Sequence, residues 1–181
     1  MGPPETSGTR EAFAELALES GCMSFDLVRS LAGRDRDKLA ELCWPIRADG
    51  AYIEAGEDDE VIAAALEQDP SLIGIFGYHF YDVHRDRLQA IPFEGVHPDP
   101  EGIATARYLL SRPLYVYFKR AQADAEPAIA RYITEITSDD AWSDAGYLKA
   151  AGMVPMLEGE RQKYAYIAQN RIEPGCPPFC R

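Results

Sequence analysis

The stretch Glu5-Thr6-Ser7-Gly8-Thr9-Arg10 gathers hydrogen-bond donors directly ahead of a segment in which Phe13, Leu16 and Ala17 recur at helical spacing. A helix starting there leaves its first backbone N–H groups without intrahelical partners, and its aligned peptide dipoles put partial positive charge at the same end. The chemistry this suits is capture of a small oxyanion. Gly8 keeps the backbone accessible, Ser7 and Thr9 add hydroxyl donors, and Arg10 adds a forked cation. The ordinary role of Ser and Thr at such a place is helix capping. A reciprocal capping box would need Glu or Gln three residues after the hydroxyl, whereas Ser7 is followed at that offset by Arg10 and Thr9 by Ala12, which leaves the donors free.

Other residue types that could do chemistry are less organised. Ser7 or Thr9 as a nucleophile would require a base, and the sequence places no histidine, lysine or carboxylate to serve, so no catalytic residue is assigned. His79, His84 and His97 do not pair at metal-ligand spacing, and the acidic cluster Glu57-Asp58-Asp59-Glu60 is what a helix dipole attracts to its start. Cys22 and Cys43 flank a polar connection between two expected helices and read either as a disulfide closing a loop of roughly twenty residues or as two buried thiols. Cys176 and Cys180 sit in the tail Pro174-Gly175-Cys176-Pro177-Pro178-Phe179-Cys180, with no further ligands near them, and the tail reads as disordered. No metal or cofactor is called for.

The composition sets limits on partners. With 46% apolar and 27% charged residues, the 181-residue chain has ordinary globular composition and length for one substantial core or two modest lobes. Its formal net charge of -12 argues against nucleic acid and anionic membrane surfaces, both of which need a basic footprint. No apolar run is long enough to span a bilayer, and residues 1–20 lack the pattern of a secretory signal.

The elements that must position the donors follow in order. A first helix stops at Gly21; residues 25–31 and 35–44 read as shorter helices; residues 51–56 read as extended; and Asp58 or Asp59 caps a helix with a stripe of Val61, Ile62, Ala65 and Leu66. Residues 72–81 form an apolar run of the kind found in strands buried on both faces, and Leu114-Tyr115-Val116-Tyr117-Phe118-Lys119 is a second such run. Residues 88–93 read as an exposed strand. Glu126-Pro127 opens a helix facing inward with Ile129, Ile133 and Ile136; another helix is expected over 140–149, and a last one over 158–169. Helices alternating with buried strands predict an α/β fold.

Four blocks in this order carry a resemblance. They are Ser7-Gly8-Thr9-Arg10; Leu72-Ile73-Gly74-Ile75-Phe76-Gly77-Tyr78; Ser111-Arg112-Pro113-Leu114-Tyr115-Val116-Tyr117; and Gly146-Tyr147-Leu148 leading to Gly152-Met153-Val154-Pro155-Met156. Over residues 2–157 the chain resembles the later portion of the phosphate-binding proteins of bacterial phosphate-specific ABC transporters. The resemblance implies a two-lobed, type II periplasmic-binding-protein-like α/β fold, here one lobe plus the C-terminal part of the other, with the N-terminal lobe segment absent. Residues 1–110 would form the phosphate-binding second lobe, 111–157 the hinge return and C-terminal part of the first lobe, and 158–181 a terminal helix and tail.

The same resemblance implies inorganic phosphate as ligand, transporter permease subunits as partners, a periplasmic location and no catalysis. Ser7, Gly8 and Thr9 match the family's phosphate-binding turn. Many members carry a phosphate-binding arginine four residues ahead of the serine; Pro3 fills that slot here, and Arg10 would take its place. The oxidising compartment favours the Cys22–Cys43 disulfide. Two further expectations concern the missing lobe segment: apolar strands left uncovered should make the chain self-associate, and a relative lacking half its cleft could have lost the ligand and serve as a structural or interaction domain.

Overall fold

The structure, a computed structural model, describes residues 1–173, so Cys176 and Cys180 lie outside the described residues. The described residues divide into two compact units, residues 1–98 with 108–112, and residues 99–107 with 113–173. Helix is the main regular structure of both.

The first unit opens with α1 (Gly8–Phe13), which passes through a π-helical turn (Ala14–Leu18) into α2 (Glu19–Cys22). Two short helices follow, α3 (Asp26–Arg29) and α4 (Arg36–Cys43), the latter capped by Asp35 and closed before Pro45. Cys22 and Cys43 are bonded, with Cα atoms 5.8 Å apart. Around that bond Val28 and Leu39 are buried, packed by Met23, Leu31 and Trp44. Then come α5 (Asp59–Gln68), capped by the Asp58 carboxylate, and α6 (Tyr78–Val83). On α5 the buried pair is Ile62 and Ala63, while Val61 points outward at 49% exposure, so the inward stripe is rotated from the expected one.

The second unit holds α7 (Pro100–Ala104), α8 (Arg120–Ala125), α9 (Pro127–Ile136), α10 (Asp139–Trp142), α11 (Tyr147–Ala150) and α12 (Glu158–Gln169). Its interior is Ala123, Ile133, Ala141 and Thr137, and Gln169 of α12 donates to the Thr137 hydroxyl at 3.0 Å. The helix expected over 140–149 is broken at 143–146. There the chain folds back so closely that a Cβ on Gly146 would lie 2.3 Å from the Ala141 carbonyl oxygen, a contact only glycine permits. No helix among the described residues is long and apolar enough to cross a membrane.

The expected α/β, periplasmic-binding-protein-like fold is not present: among the described residues there is no strand, only two isolated bridges. The reasons are local. Residues 72–81 divide at Gly77, after which Tyr78, Phe80 and Tyr81 lie in α6, the Phe80 ring 5.3 Å from that of Phe76 ahead of the helix. The first half of that run does meet extended chain. Ile75 N–H donates to the Met1 carbonyl at 3.0 Å, and on the other side of the same short segment Gly2 N–H donates to the Ile53 carbonyl at 3.1 Å while the Gly2 carbonyl accepts from Ala55 N–H at 2.9 Å. The ladder ends there, because Pro3 and Pro4 have no N–H to continue it. Residues 88–93 fail similarly. Phe93 and Val96 bridge across a two-residue turn with Glu94 and Gly95 at positive φ, but Pro92 and Pro98 remove the donors that would lengthen a hairpin. Residues 114–119 follow Pro113 and form no strand.

Two outcomes are expected. Reducing the Cys22–Cys43 bond, which closes a loop across 21 positions, should cost on the order of 3 kcal/mol and lower the melting temperature; equal melting of oxidised and reduced protein would contradict this. Leu114, Val116 and Tyr117 are 76%, 63% and 77% exposed in one run, so sedimentation should show concentration-dependent association that Val116→Lys suppresses. A monomer at every concentration would refute it.

Candidate functional site

The turn ahead of α1 is set by Ser7 N–H, which donates to the Pro4 carbonyl at 3.0 Å. Ser7 itself is extended (φ -79°, ψ 133°) and buried, and its hydroxyl oxygen accepts from Thr9 N–H at 3.2 Å. Ser7 is therefore a cap, the ordinary role of a serine at this place, although no capping box is completed. A bond to the second helical N–H needs no reciprocal Glu or Gln. The hydroxyl proton is still available, since Ser carries one donor beside its acceptor positions. Gly8 is exposed, and Thr9 is half-buried beside it.

Arg10 does not extend from this mouth into solvent. Its guanidinium lies 4.5 Å from the centre of the Tyr52 ring, its Nη1 donates to the Pro3 carbonyl at 3.4 Å, and Glu54 is 3.9 Å away. Tyr52 fixes the same carbonyl, its hydroxyl donating at 2.7 Å. Stacking and ion pairing hold Arg10 along the flank of the turn.

A second guanidinium, absent from the expected set, reaches the turn from far along the chain. Arg112 Nη2 donates to the Gly8 carbonyl at 3.0 Å, and its Nη1 lies 3.9 Å from Glu11. A methyl group on Gly8 would come 3.4 Å from Arg112 Nη2, so the missing side chain makes room for this arginine as well as for any ligand. Sequence spacing could not have found the contact, which joins residues 104 positions apart. The one sequence signal was the Ser111-Arg112-Pro113 block itself. The structure thus gathers Ser7, Gly8, Thr9, Arg10 and Arg112 in one unit, with Glu11 and Glu54 balancing the two arginines.

No base stands against the hydroxyls in the contacts described above. Among the described residues no group of three or more His, Cys, Asp and Glu could hold a metal ion. His84 packs on the Phe80 ring at 4.3 Å and bonds the Phe80 carbonyl through Nδ1 at 2.8 Å, and His79 and His97 are exposed.

Comparison with known proteins gives a partial likeness. The chain is 30% identical over 102 residues to the phosphate-binding protein PstS of Staphylococcus haemolyticus, and 27% identical over 104 residues to that of Staphylococcus aureus strain USA300. The same-named protein of Staphylococcus epidermidis RP62A is 28% identical over 102 residues. These matches take in 52%, 54% and 52% of this chain and 32%, 32% and 31% of the relatives. The matched stretch therefore spans about a third of each relative's length. No family model and no solved structure matches. The chain is a distant and partial relative of these phosphate-binding proteins.

The cap makes a measurable demand. Ser7→Ala should cost about 1 kcal/mol of stability, and Ser7→Asp should retain most of it. A Ser7→Ala protein that unfolds at the same denaturant midpoint would mean that the Ser7 oxygen caps nothing.

Proposed function

We propose that this chain binds inorganic phosphate at the mouth of α1, as part of the substrate-binding component of a phosphate transport system. Ser7 and Thr9 would donate through their hydroxyls, Gly8 through its exposed backbone N–H, and Arg10 and Arg112 would supply charge from the flanks. The observation that carries this reading is the convergence of two guanidinium groups on one helix start that already offers neutral donors. The names of the staphylococcal relatives support phosphate over other oxyanions. By the resemblance, the protein would work in the periplasm and deliver its ligand to transporter permease subunits.

Binding to this turn alone would be weak. Hydrogen bonds to a charged group contribute about 1.5 to 3 kcal/mol each, so three or four give roughly 5 to 12 kcal/mol gross. Lost translational and rotational freedom costs some 4 kcal/mol or more, which leaves a net value near the millimolar level of about -4 kcal/mol.

A second reading has its own support. Ser7 is engaged as a cap and Arg10 by Tyr52, Pro3 and Glu54, which is the arrangement of a turn that serves the fold; the chain would then be a relative that acts as a structural or interaction domain.

Calorimetry with inorganic phosphate separates the two. Replacing both Ser7 and Thr9 with alanine should abolish binding, and Gly8→Ala should weaken it without loss of stability, because the added methyl covers the N–H approach while meeting only the end of a flexible arginine. Phosphate affinity unchanged in both variants, or absent from the parent chain, would leave the structural reading standing.

A further inference from the structure

From 111 to 119 the chain makes no helix, turn or bend, and Lys119 ends this run in an extended conformation (φ -81°, ψ 122°). Successive side chains of an extended chain alternate between faces. Leu114 and Val116 therefore share one face, and Tyr115 and Tyr117 share the other with their rings 6.2 Å apart. Residues 113–117 are all exposed. The backbone N–H and C=O groups of Leu114, Val116 and Tyr117 bond to no backbone or side chain among the described residues. An exposed apolar run with its donors and acceptors unanswered is a template on which another extended chain can pair. Pro113 has no N–H, so pairing would begin after it.

Charge narrows the partner. From 102 to 123 the chain carries Arg107, Arg112, Lys119 and Arg120 and no acidic residue, within a protein of formal net charge -12. Arg107 lies 3.6 Å from Glu101 and Arg112 3.9 Å from Glu11, whereas Lys119 and Arg120 are exposed and have no ion pair among the described residues. The apolar run thus ends on two cations that call for carboxylates. A second copy does not supply them: in antiparallel pairing centred on Val116, Arg120 falls opposite Arg112, so association between copies is the weaker use of this edge. A membrane suits it no better, because unpaired backbone groups are not tolerated in hydrocarbon and the net charge repels anionic head groups. We propose that residues 113–119 dock an extended segment of a partner protein, added as a strand, apolar in its middle and acidic where it meets Lys119 and Arg120. This surface does not rest on the phosphate reading.

The full chain, kept below the concentration at which copies associate, would be titrated into a fluorescent peptide of alternating valine and threonine with glutamates at both ends, followed by anisotropy. Saturable binding is expected, with amide NMR shifts confined to 113–119 and their immediate neighbours. Exchanging the glutamates of the peptide for lysines should weaken binding about fivefold, and so should Lys119→Glu with Arg120→Glu in the protein. Arg131→Glu, the same change of charge on α9, should bind as the parent does. A fully N-methylated peptide should not bind, since a ladder needs its N–H groups. Val116→Pro with Tyr117→Pro removes an N–H from each edge of the run; it should abolish binding and leave the melting temperature unchanged, because both residues are exposed and neither N–H is bonded. No saturable binding by the parent, equal binding of the N-methylated peptide, or full binding by the double proline variant would each overturn the assignment. Binding to phosphatidylserine vesicles that the peptide does not reverse would assign the run to a membrane instead, and dimerisation that the peptide does not compete would assign it to a second copy.

Discussion

Glu19 is 8% exposed with both carboxylate oxygens taken, Oε1 by Arg36 Nη1 at 2.5 Å and Oε2 by Trp44 Nε1 at 2.7 Å. A buried carboxylate persists only when its oxygens are answered, so this contact ties α2 to α4 whenever the unit is folded. Glu15 joins the same arginine at 3.0 Å from within the π-helical turn, and the Cys22–Cys43 bond lies one turn beyond. Three linkages therefore fix the C-terminal end of one continuous helical run. Its other end is the donor-bearing turn at Ser7. A helix held this way at one end presents its opposite terminus in a defined direction, which an anion site made of backbone N–H groups requires.

The helices were legible where their ends carried chemical punctuation. Asp58 caps α5, Glu126-Pro127 opens α9, and α12 runs over the expected 158–169, because caps and prolines act within a few residues of where they stand. Strands were misread because pairing is not a local property. Residues 72–81 are as apolar as a central strand, but a strand exists only with a partner of matching length. The partner here is Met1-Gly2, cut short by Pro3-Pro4. The gap at 143–146 was equally hidden, since it depends on a close approach between Gly146 and Ala141 that has no periodic signature.

At the candidate site the residue types could be read but their commitments could not. Ser7 stands out as a donor in sequence and turns out to be an acceptor for Thr9 N–H as well. Arg10 stands out as a charge at the mouth and is drawn back onto Tyr52, a residue of a segment far along the chain. Arg112 carried no local hint of its contact with Gly8, because long-range placement by the fold decides which arginine meets which turn. The Cys22–Cys43 pairing was easier to read, both cysteines sitting at helix edges across a short polar connection.

The chain carries a formal charge of -12, so its field at long range repels anions. At the α1 mouth the nearby charges come in matched pairs, Arg10 with Glu54 and Arg112 with Glu11, each separated by 3.9 Å, and so do not offset that field. Such pairs largely cancel beyond a Debye length of about 8 Å at physiological ionic strength. What remains directional at close range is the set of fixed N–H and O–H dipoles, which exert their pull only within hydrogen-bond distance. An anion bound there as proposed would be selected by shape and donor geometry and would gain little from electrostatic steering.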